Sequence, residues 1–470
     1  MATTSETRAT PGVRAEGLNI AGYFRSENGL GEGGRLLVAT VEAAGVPYRT
    51  DTYAGPHSRQ EHAYTDRGAG PGGYDVNIAC VNAEQMPRFA AQVGPGFFKG
   101  RYTIGTWFWE TEEFPPRLRG ALDFVDEVWM PSDFSRDSLR AVTDKPVITL
   151  PLPIVAPTID PSLDRAELGL PQGFLFVYTF DLFSTARRKN PVGAIEAYKR
   201  AFKPGDGAAL VLKSANGDKR REDLDDILAA AAGRPDITVI DEYVAAERID
   251  AIIAAADCYV SLHRAEGFGL GLAVAMSLGK PVIGTGYSGN LTFMDETNSY
   301  LVDWKRIKVG PGVPIYPADD HWADPDLDHA AQLMRRVFEN RDEATQRGAK
   351  AKADIKRDHS PQARARLLTR RLEEIRGLGL PAYHVWGEHW EHAAPAQRAA
   401  VMVASGTDVE VPTRRDGAYG SVARVVRRTM QRLMLNHEMH QREVEQSLLD
   451  SIRELQARVK SLEEELEKRR

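Results

Sequence analysis

Apolar positions first become regular at Leu18, where LNIAGYF forms a short run that stops at the glycine-rich turn ENGLGEGGR. Behind the turn, Leu36, Leu37, Ala39, Thr40, Ala43 and Ala44 recur at helical spacing, and Gly45 ends the run. Strand, glycine turn and helix in that order open a βαβ unit. The strand-like runs YDVNIACV, YTIGTWFW, EVWMP and VITLPLP follow, separated by helix-like stretches at 83–91 and 133–141. Short apolar strands alternating with helices predict a parallel sheet covered on both faces. The proline-rich PLPIVAPTIDPSLD, residues 151–164, breaks the alternation and reads as a linker. A second series then begins. FLFVYTF, ALVLKSA, ITVIDEY, CYVSLH and PVIGTG are its strands, and 190–202, 221–232, 246–256 and 270–278 its helices. Residues 326–376 are charged and helical in pattern.

The pattern predicts an α/β protein of two Rossmann-like domains facing a cleft, with a C-terminal helical coiled-coil extension. The boundaries it sets are a disordered lead-in at 1–17, a first domain at 18–150, a linker at 151–171 and a second domain at 172–376. An irregular connector at 377–420 and a coiled coil at 421–470 complete the chain. Near the end, Leu448, Ile452, Leu455, Val459, Leu462 and Leu466 form a heptad seam. Ile452 and Val459 fall at a, Leu455 and Leu462 at d, and β-branched a with leucine d favours a parallel dimer. Arg458 at g and Glu463 at the following e form an attractive pair between parallel helices. An upstream seam of Val426, Met430, Leu433, His437, His440 and Val444 is one residue out of phase, which locally unwinds a supercoil. A lone helix docked on the body is the alternative.

Composition narrows the classes. The 470 residues carry 60 Lys and Arg against 66 Asp and Glu, a net charge of −6. That balance disfavours a protein built to hold nucleic acid. Two distant cysteines, Cys80 and Cys258, leave no disulfide scaffold or cysteine zinc site, and a reducing compartment is the expectation. No apolar run approaches the ~18 residues of a membrane span, and the start lacks the apolar core of a secretory signal. A cytoplasmic protein is expected on these grounds. Arg424, Arg427, Arg428 and Arg432, interleaved with apolar residues, suit an anionic membrane surface, so peripheral contact with the inner face is one expectation and a plain coiled-coil flank the other.

Candidate chemistry concentrates in SLHRAEGFGLGLAVAMSLGKPVIGTGYSGNLTF, residues 261–293. A strand runs into the cleft, and a turn at 265–270 holds one acid, Glu266, among small residues. Gly267 and Gly269 let backbone approach a ligand closely. The following helix turns its free N–H groups and positive dipole end toward the cleft, which favours an anion such as a diphosphate. Taken alone, the stretch is equally an ordinary strand–turn–helix with a solvated acid.

The segment resembles the signature of the retaining nucleotide-sugar glycosyltransferases of family four (group 1), which have the GT-B fold. Glu266, Gly267, Phe268, Gly269, Ala275, Met276, Gly279, Lys280, Pro281 and Val282 match its pattern. GYSGN with Phe293, YTIGTWFWETEEFP, DEVWMPSDFS and RKNPVGAIEAYKRAF look like a polysaccharide mannosyl- and rhamnosyltransferase-like subgroup. The resemblance covers about residues 18–376. It implies transfer of a hexose, leaning to mannose or rhamnose, from a nucleotide diphosphate to a hydroxyl of a glycan or lipid-linked acceptor, with retained configuration. It also implies that Glu266 contacts the donor sugar hydroxyls, and that Gly267, Phe268, Gly269 and Leu270 approach sugar and diphosphate. Lys189 matches the family's phosphate lysine, with Arg188 beside it. The arginine usual a few residues earlier is replaced by FDLFST. Where the family carries its second acid, which holds the ribose, this chain has Val274, and a valine accepts no hydrogen bond.

Other candidates follow from placement. Lys213, at the end of ALVLK, is a second cation at a strand's carboxyl end, and Arg264 lies just before the acid. Gly29 and Gly31 occupy the first strand–helix turn, where the family loop faces the diphosphate; without a P-loop Lys-Ser/Thr it is no nucleoside triphosphate site. Glu110 is an acceptor-site candidate, whereas Trp107 and Trp109 read better as core. His263 is as readily a packing residue as a ligand. No sequence pattern for a metal or other cofactor is present. The expectation is metal-free catalysis, with Lys189, Arg188 and helix N-termini balancing the diphosphate. The alternative is a degenerate, non-catalytic scaffold that recruits partners through its coiled coil. An epimerase or hydrolase acting on the nucleotide sugar is a weaker third reading.

Overall fold

A computed structural model describes residues 15–378, except 55–58, 69–72 and 314. Two six-stranded parallel sheets carry the architecture. In the first, β1 (Ala15–Gly22), β2 (Tyr48–Thr52), β3 (Tyr74–Cys80), β4 (Tyr102–Thr106), β5 (Glu127–Met130) and β6 (Val147–Thr149) lie in the order β2-β1-β3-β4-β5-β6. In the second, β7 (Phe174–Thr179), β8 (Ala208–Ser214), β9 (Ile237–Asp241), β10 (Cys258–Ser261), β11 (Val282–Thr285) and β12 (Tyr300–Val302) lie in the order β12-β11-β10-β7-β8-β9. A hairpin of β13 (Trp304–Lys308) and β14 (His321–Pro325) leaves the second sheet. Helices α1 (Gly29–Ala44), α2 (Met86–Val93), α3 (Pro95–Phe98) and α4 (Asp133–Arg140) belong to the first half. Helices α5 (Ala186–Lys189), α6 (Pro191–Ala201), α7 (Arg221–Ala231), α8 (Ala246–Ala255), α9 (Leu270–Ser277), α10 (Leu327–Glu339), α11 (Arg341–Asp358) and α12 (Pro361–Gly377) follow.

The strand orders place the site. Strand order reverses between β1 and β3 in one sheet and between β7 and β10 in the other, and the crevice outside such a switch point is where parallel sheets bind ligands. The loop after β7 leads into Arg188 and Lys189, and the loop after β10 carries Glu266. The turn after β1 leads to Gly29 and Gly31.

Most strands fall where the apolar runs predict them, because buried parallel strands must be apolar on both faces. The departures have physical reasons. β1 begins at Ala15, inside the expected lead-in. The pairing of Ala15 with Tyr74 and Leu18 with Val76 contains a bulge, so the strand continues past the end of its apolar run. β2, YRTDT, is a polar strand at a sheet edge and gives no apolar signal. YTIGTWFW is a strand only to Thr106, after which Trp107 and Trp109 are buried beside Phe114. The hairpin was not anticipated at all, because WKRIK is largely exposed and charged.

The expected second domain, 172–376, needs a correction at its end. α12 crosses back and packs on the first sheet, where Leu368, Leu372 and Ile375 join Leu18, Ile20, Val41 and Val76 in one buried cluster. Arg371 grips the fully buried Glu127 with two bonds, Nε to Oε1 at 2.9 Å and Nη2 to Oε2 at 2.6 Å. Tyr102 and Trp129 donate to the same carboxylate. Arg376 Nε pairs with Asp75 at 3.0 Å. A charged amphipathic helix shows its apolar stripe in sequence but not which sheet the stripe covers.

Residues 1–14 of the lead-in and the chain beyond 378, with the 421–470 coiled coil, its parallel-dimer expectation and the Arg424–Arg432 stretch, lie outside the described residues. Among the described residues no helix is long and apolar enough to cross a membrane.

Breaking a buried ion pair leaves an uncompensated charge. Glu127→Gln is therefore expected to lower unfolding stability by about 3 kcal/mol, read from urea midpoints. A loss under about 1 kcal/mol would assign the α12 strap to its apolar contacts alone.

Candidate active site

Glu266 follows β10 in a turn that the surrounding chain fixes tightly. Its backbone N–H donates to Ser288 Oγ at 2.8 Å, and its carbonyl accepts from Gly289 N at 2.8 Å. A Cβ on Gly289 would lie 2.1 Å from the Gly267 carbonyl oxygen, so only glycine permits this contact. Gly269 caps α9 at a φ of 97°, a left-handed conformation that suits glycine. Phe268 is buried against Phe293. His263 is a packing residue in this structure. Its Nδ1 faces the Ser261 hydroxyl at 3.1 Å and its Nε2 faces Asn290 Oδ1 at 3.0 Å, and burial pulls its pKa down, so the ring is neutral.

Two cations meet the acid. The single-turn α5 presents Arg188 and Lys189, and the left-handed Asn190 that ends it donates to Leu262 O at 2.8 Å, tying the turn to the Glu266 segment. Arg188 O also accepts from Arg264 N at 2.7 Å. Lys189 Nζ reaches Glu266 Oε1 at 2.5 Å, and Arg188 Nη1 reaches Oε2 at 3.2 Å. Arg188 is 4% exposed and Glu266 8%. Burial alone would push the Glu266 carboxyl up, but Lys189 and Arg188 hold it down at about 2. Burial pulls the Lys189 ammonium down from its ordinary value, and Glu266 opposes that pull.

The first domain closes over this centre. Asn28 caps α1 by accepting from Gly31 N at 2.9 Å, and a Cβ on Gly31 would lie 2.2 Å from Ser26 O. Gly29 is exposed, and a Cβ there would stand 4.0 Å from Leu270 Cδ1, so the start of α1 faces the start of α9. Ser132, the cap of α4, donates its hydroxyl to Gly267 O at 2.8 Å. Glu110 Oε1 lies 3.8 Å from Arg188 Nη2. Glu112 takes Arg306 Nη2 of the hairpin at 2.7 Å and the Tyr287 hydroxyl at 3.1 Å.

The structure thus brings Glu266, Lys189, Arg188 and Glu110 together, with Gly267, Phe268, Gly269 and Leu270 in the turn and Gly29 and Gly31 opposite. It holds two candidates elsewhere. Lys213 Nζ donates to the carbonyls of Ser214 at 2.6 Å and Glu242 at 2.5 Å, a buried strand-end role. The Arg264 guanidinium pairs with Asp324 on β14. Val274 is half-buried against the second core. Sequence reasoning missed Ser132, Tyr287, Arg306 and Tyr316. The serine cap had a signal in PSDFS, whereas the hairpin residues act only through a fold that their own pattern does not reveal.

A carboxyl held near 2 in the fold against an ordinary 4.5 adds stability that is full above pH 4.5 and is lost as pH falls toward 2. The stability difference between wild type and Glu266→Gln is accordingly expected to be largest above pH 4.5 and to shrink toward pH 2. Thermal unfolding across that range measures it, and a difference independent of pH would remove the charge pairing as its source.

Residues 136–368 match the family described as family 4 glycosyltransferase in conflict systems. No curated protein matches the chain. Among solved structures, HepE of Anabaena, solved with UDP and glucose, is 14% identical with a TM-score of 0.54, covering 77% of this chain and 100% of its own. Sucrose-phosphate synthase of Thermosynechococcus elongatus is 15% identical at a TM-score of 0.57, covering 77% and 100%. A glycosyltransferase of Rickettsia africae is 12% identical at 0.55, covering 77% and 98%. The two facing sheets with the crossing α12 are the GT-B architecture. Over residues 136–368 the chain thus matches the family-four glycosyltransferase model, set within a body of the GT-B fold.

Proposed function

We propose that the protein transfers a hexosyl group from a nucleotide-diphosphate sugar to a hydroxyl of a glycan or glycolipid acceptor, with retention of configuration. The observation that carries this reading is the Glu266 carboxylate held between Lys189 and Arg188 where the two switch points face each other. A buried carboxylate is an acceptor for sugar hydroxyls, and the cations already at its side are placed to balance a departing diphosphate. The starts of α1 and α9 add backbone N–H groups and positive dipole ends. UDP and glucose in the HepE structure support the donor class. The lean to mannose or rhamnose rests on the GYSGN-type resemblance.

In the reaction the bond from the anomeric carbon to the diphosphate oxygen breaks. The acceptor oxygen bonds that carbon on the same face, and its proton passes to the departing diphosphate. Arg188 and Lys189 stabilise the charge that develops there, so the chemistry is carried by positioning and electrostatics without a metal ion.

Val274 favours one competing reading, a degenerate scaffold, because the ribose has no carboxylate at that position. Thermal unfolding with millimolar GDP, UDP, dTDP and ADP separates the two. A nucleotide at about 100 times its dissociation constant adds ~2.7 kcal/mol. Stabilisation by one base supports the transferase and names its donor, and no stabilisation by any of them favours the scaffold. Lys189→Ala is expected to lower turnover at saturating donor about tenfold or more, ~1.4 kcal/mol in the barrier. Turnover equal to wild type would remove Lys189 from the mechanism.

A further inference from the structure

The connection between β13 and β14 carries Tyr316 into the contact between the two domains, where it is 5% exposed. Its ring stands edge-on to Trp109, with centroids 5.4 Å apart. Its hydroxyl donates to Glu110 Oε2 at 2.9 Å. The other Glu110 oxygen faces Arg188, which in turn pairs with Glu266. Hydroxyl, carboxylate, guanidinium and carboxylate therefore follow one another from the hairpin to the centre. Glu110 is the one member of this chain that comes from the first domain, so it marks where a group approaching from that side meets Glu266. The hairpin is held from several sides. Arg187 donates to Val309 O at 2.8 Å and to Pro311 O at 2.6 Å, and Arg306 bonds Glu112.

We propose that Tyr316 is a specificity-determining residue for the acceptor, occupying Glu110 with its own hydroxyl until a carbohydrate hydroxyl takes its place. The inference rests on the transferase reading. A carboxylate that accepts one hydroxyl at hydrogen-bond distance accepts another in the same geometry. An acceptor without a hydroxyl at that point leaves Glu110 Oε2 without a donor on displacing Tyr316, and a carboxylate oxygen that loses its partner discriminates against that acceptor. Until exchange occurs, the Tyr316 hydroxyl also keeps that Glu110 oxygen from water.

The test uses the full chain with UDP-glucose, GDP-mannose, dTDP-rhamnose and ADP-glucose as donors. Release of free sugar to water and transfer to methyl glycosides of glucose, mannose and galactose are both measured. Tyr316→Phe, which keeps the ring and removes the competing hydroxyl, is expected to raise hydrolysis and lower the acceptor KM, each by about fivefold. Glu110→Gln is expected to raise the acceptor KM about tenfold, with the donor KM unchanged in both variants. A shift in either readout at constant donor KM supports the assignment. Wild-type values for both variants, or a donor KM that moves with the acceptor KM, overturn it. A wild-type protein that neither transfers nor hydrolyses any of the four donors overturns the transferase reading, and this inference with it.

Discussion

A carboxylate taken almost wholly out of water persists as an anion only if positive charge comes with it. Glu266 is in that position, and the local architecture answers to it. Two consecutive cations on a single turn of α5 reach its two oxygens. The turn itself is tied to the Glu266 segment by Asn190 and by the Arg188 carbonyl. The backbone around Glu266 is pinned by Ser288 and Gly289. The pairing therefore sets the separation of the loops after β7 and β10, the two loops that flank the switch point of the second sheet. A ligand that replaces one partner of this triad finds the others already in place, which is what preorganisation means for a charge-stabilising site.

The second constraint is the contact between the two halves. It is made of polar side chains against backbone, such as Ser132 on Gly267 O, and of an apolar cluster shared across the cleft. Trp107, Trp109 and Phe114 of the first domain share that cluster with Ala265, Tyr287, Tyr316 and Trp322 of the second. Glu112 links the same two sides through Arg306 and Tyr287. The α12 strap and the linker tether the halves beside these contacts. Ile154 N donates to His359 O at 2.7 Å, so the two crossing segments are themselves joined. These crossings are the segments about which a hinge between the halves would turn.

Lys213 and Arg264 show how placement alone misleads. Both sit where a cation would reach the cleft, and both are bound elsewhere. A buried ammonium must satisfy its donors, and Lys213 gives its own to the strand-end carbonyls of Ser214 and Glu242. Arg264 meets an acid on a hairpin that is distant in sequence. Arg188, weighed only as a neighbour of the lysine, is the more buried of the two cations on Glu266.

Local pattern was enough for much of this protein. Continuous apolar runs announced the two parallel sheets, because strands buried on both faces have no polar side to show. The Glu266–Gly269 turn was legible because glycines and an acid between a strand and a helix leave few other uses, and the family-four signature raised that reading above an ordinary turn. What local pattern could not contain are relations between distant segments. The polar edge strand β2, the exposed hairpin, the Tyr316–Glu110 contact and the return of α12 to the first sheet depend on distant partners, 30 residues away for β2 on β1, 194 for Arg306 on Glu112, 206 for Tyr316 on Glu110 and 244 for Arg371 on Glu127. Their own residues carry no period that betrays them. Tertiary packing decided these features, because only the folded chain determines which charge finds which partner once water is excluded.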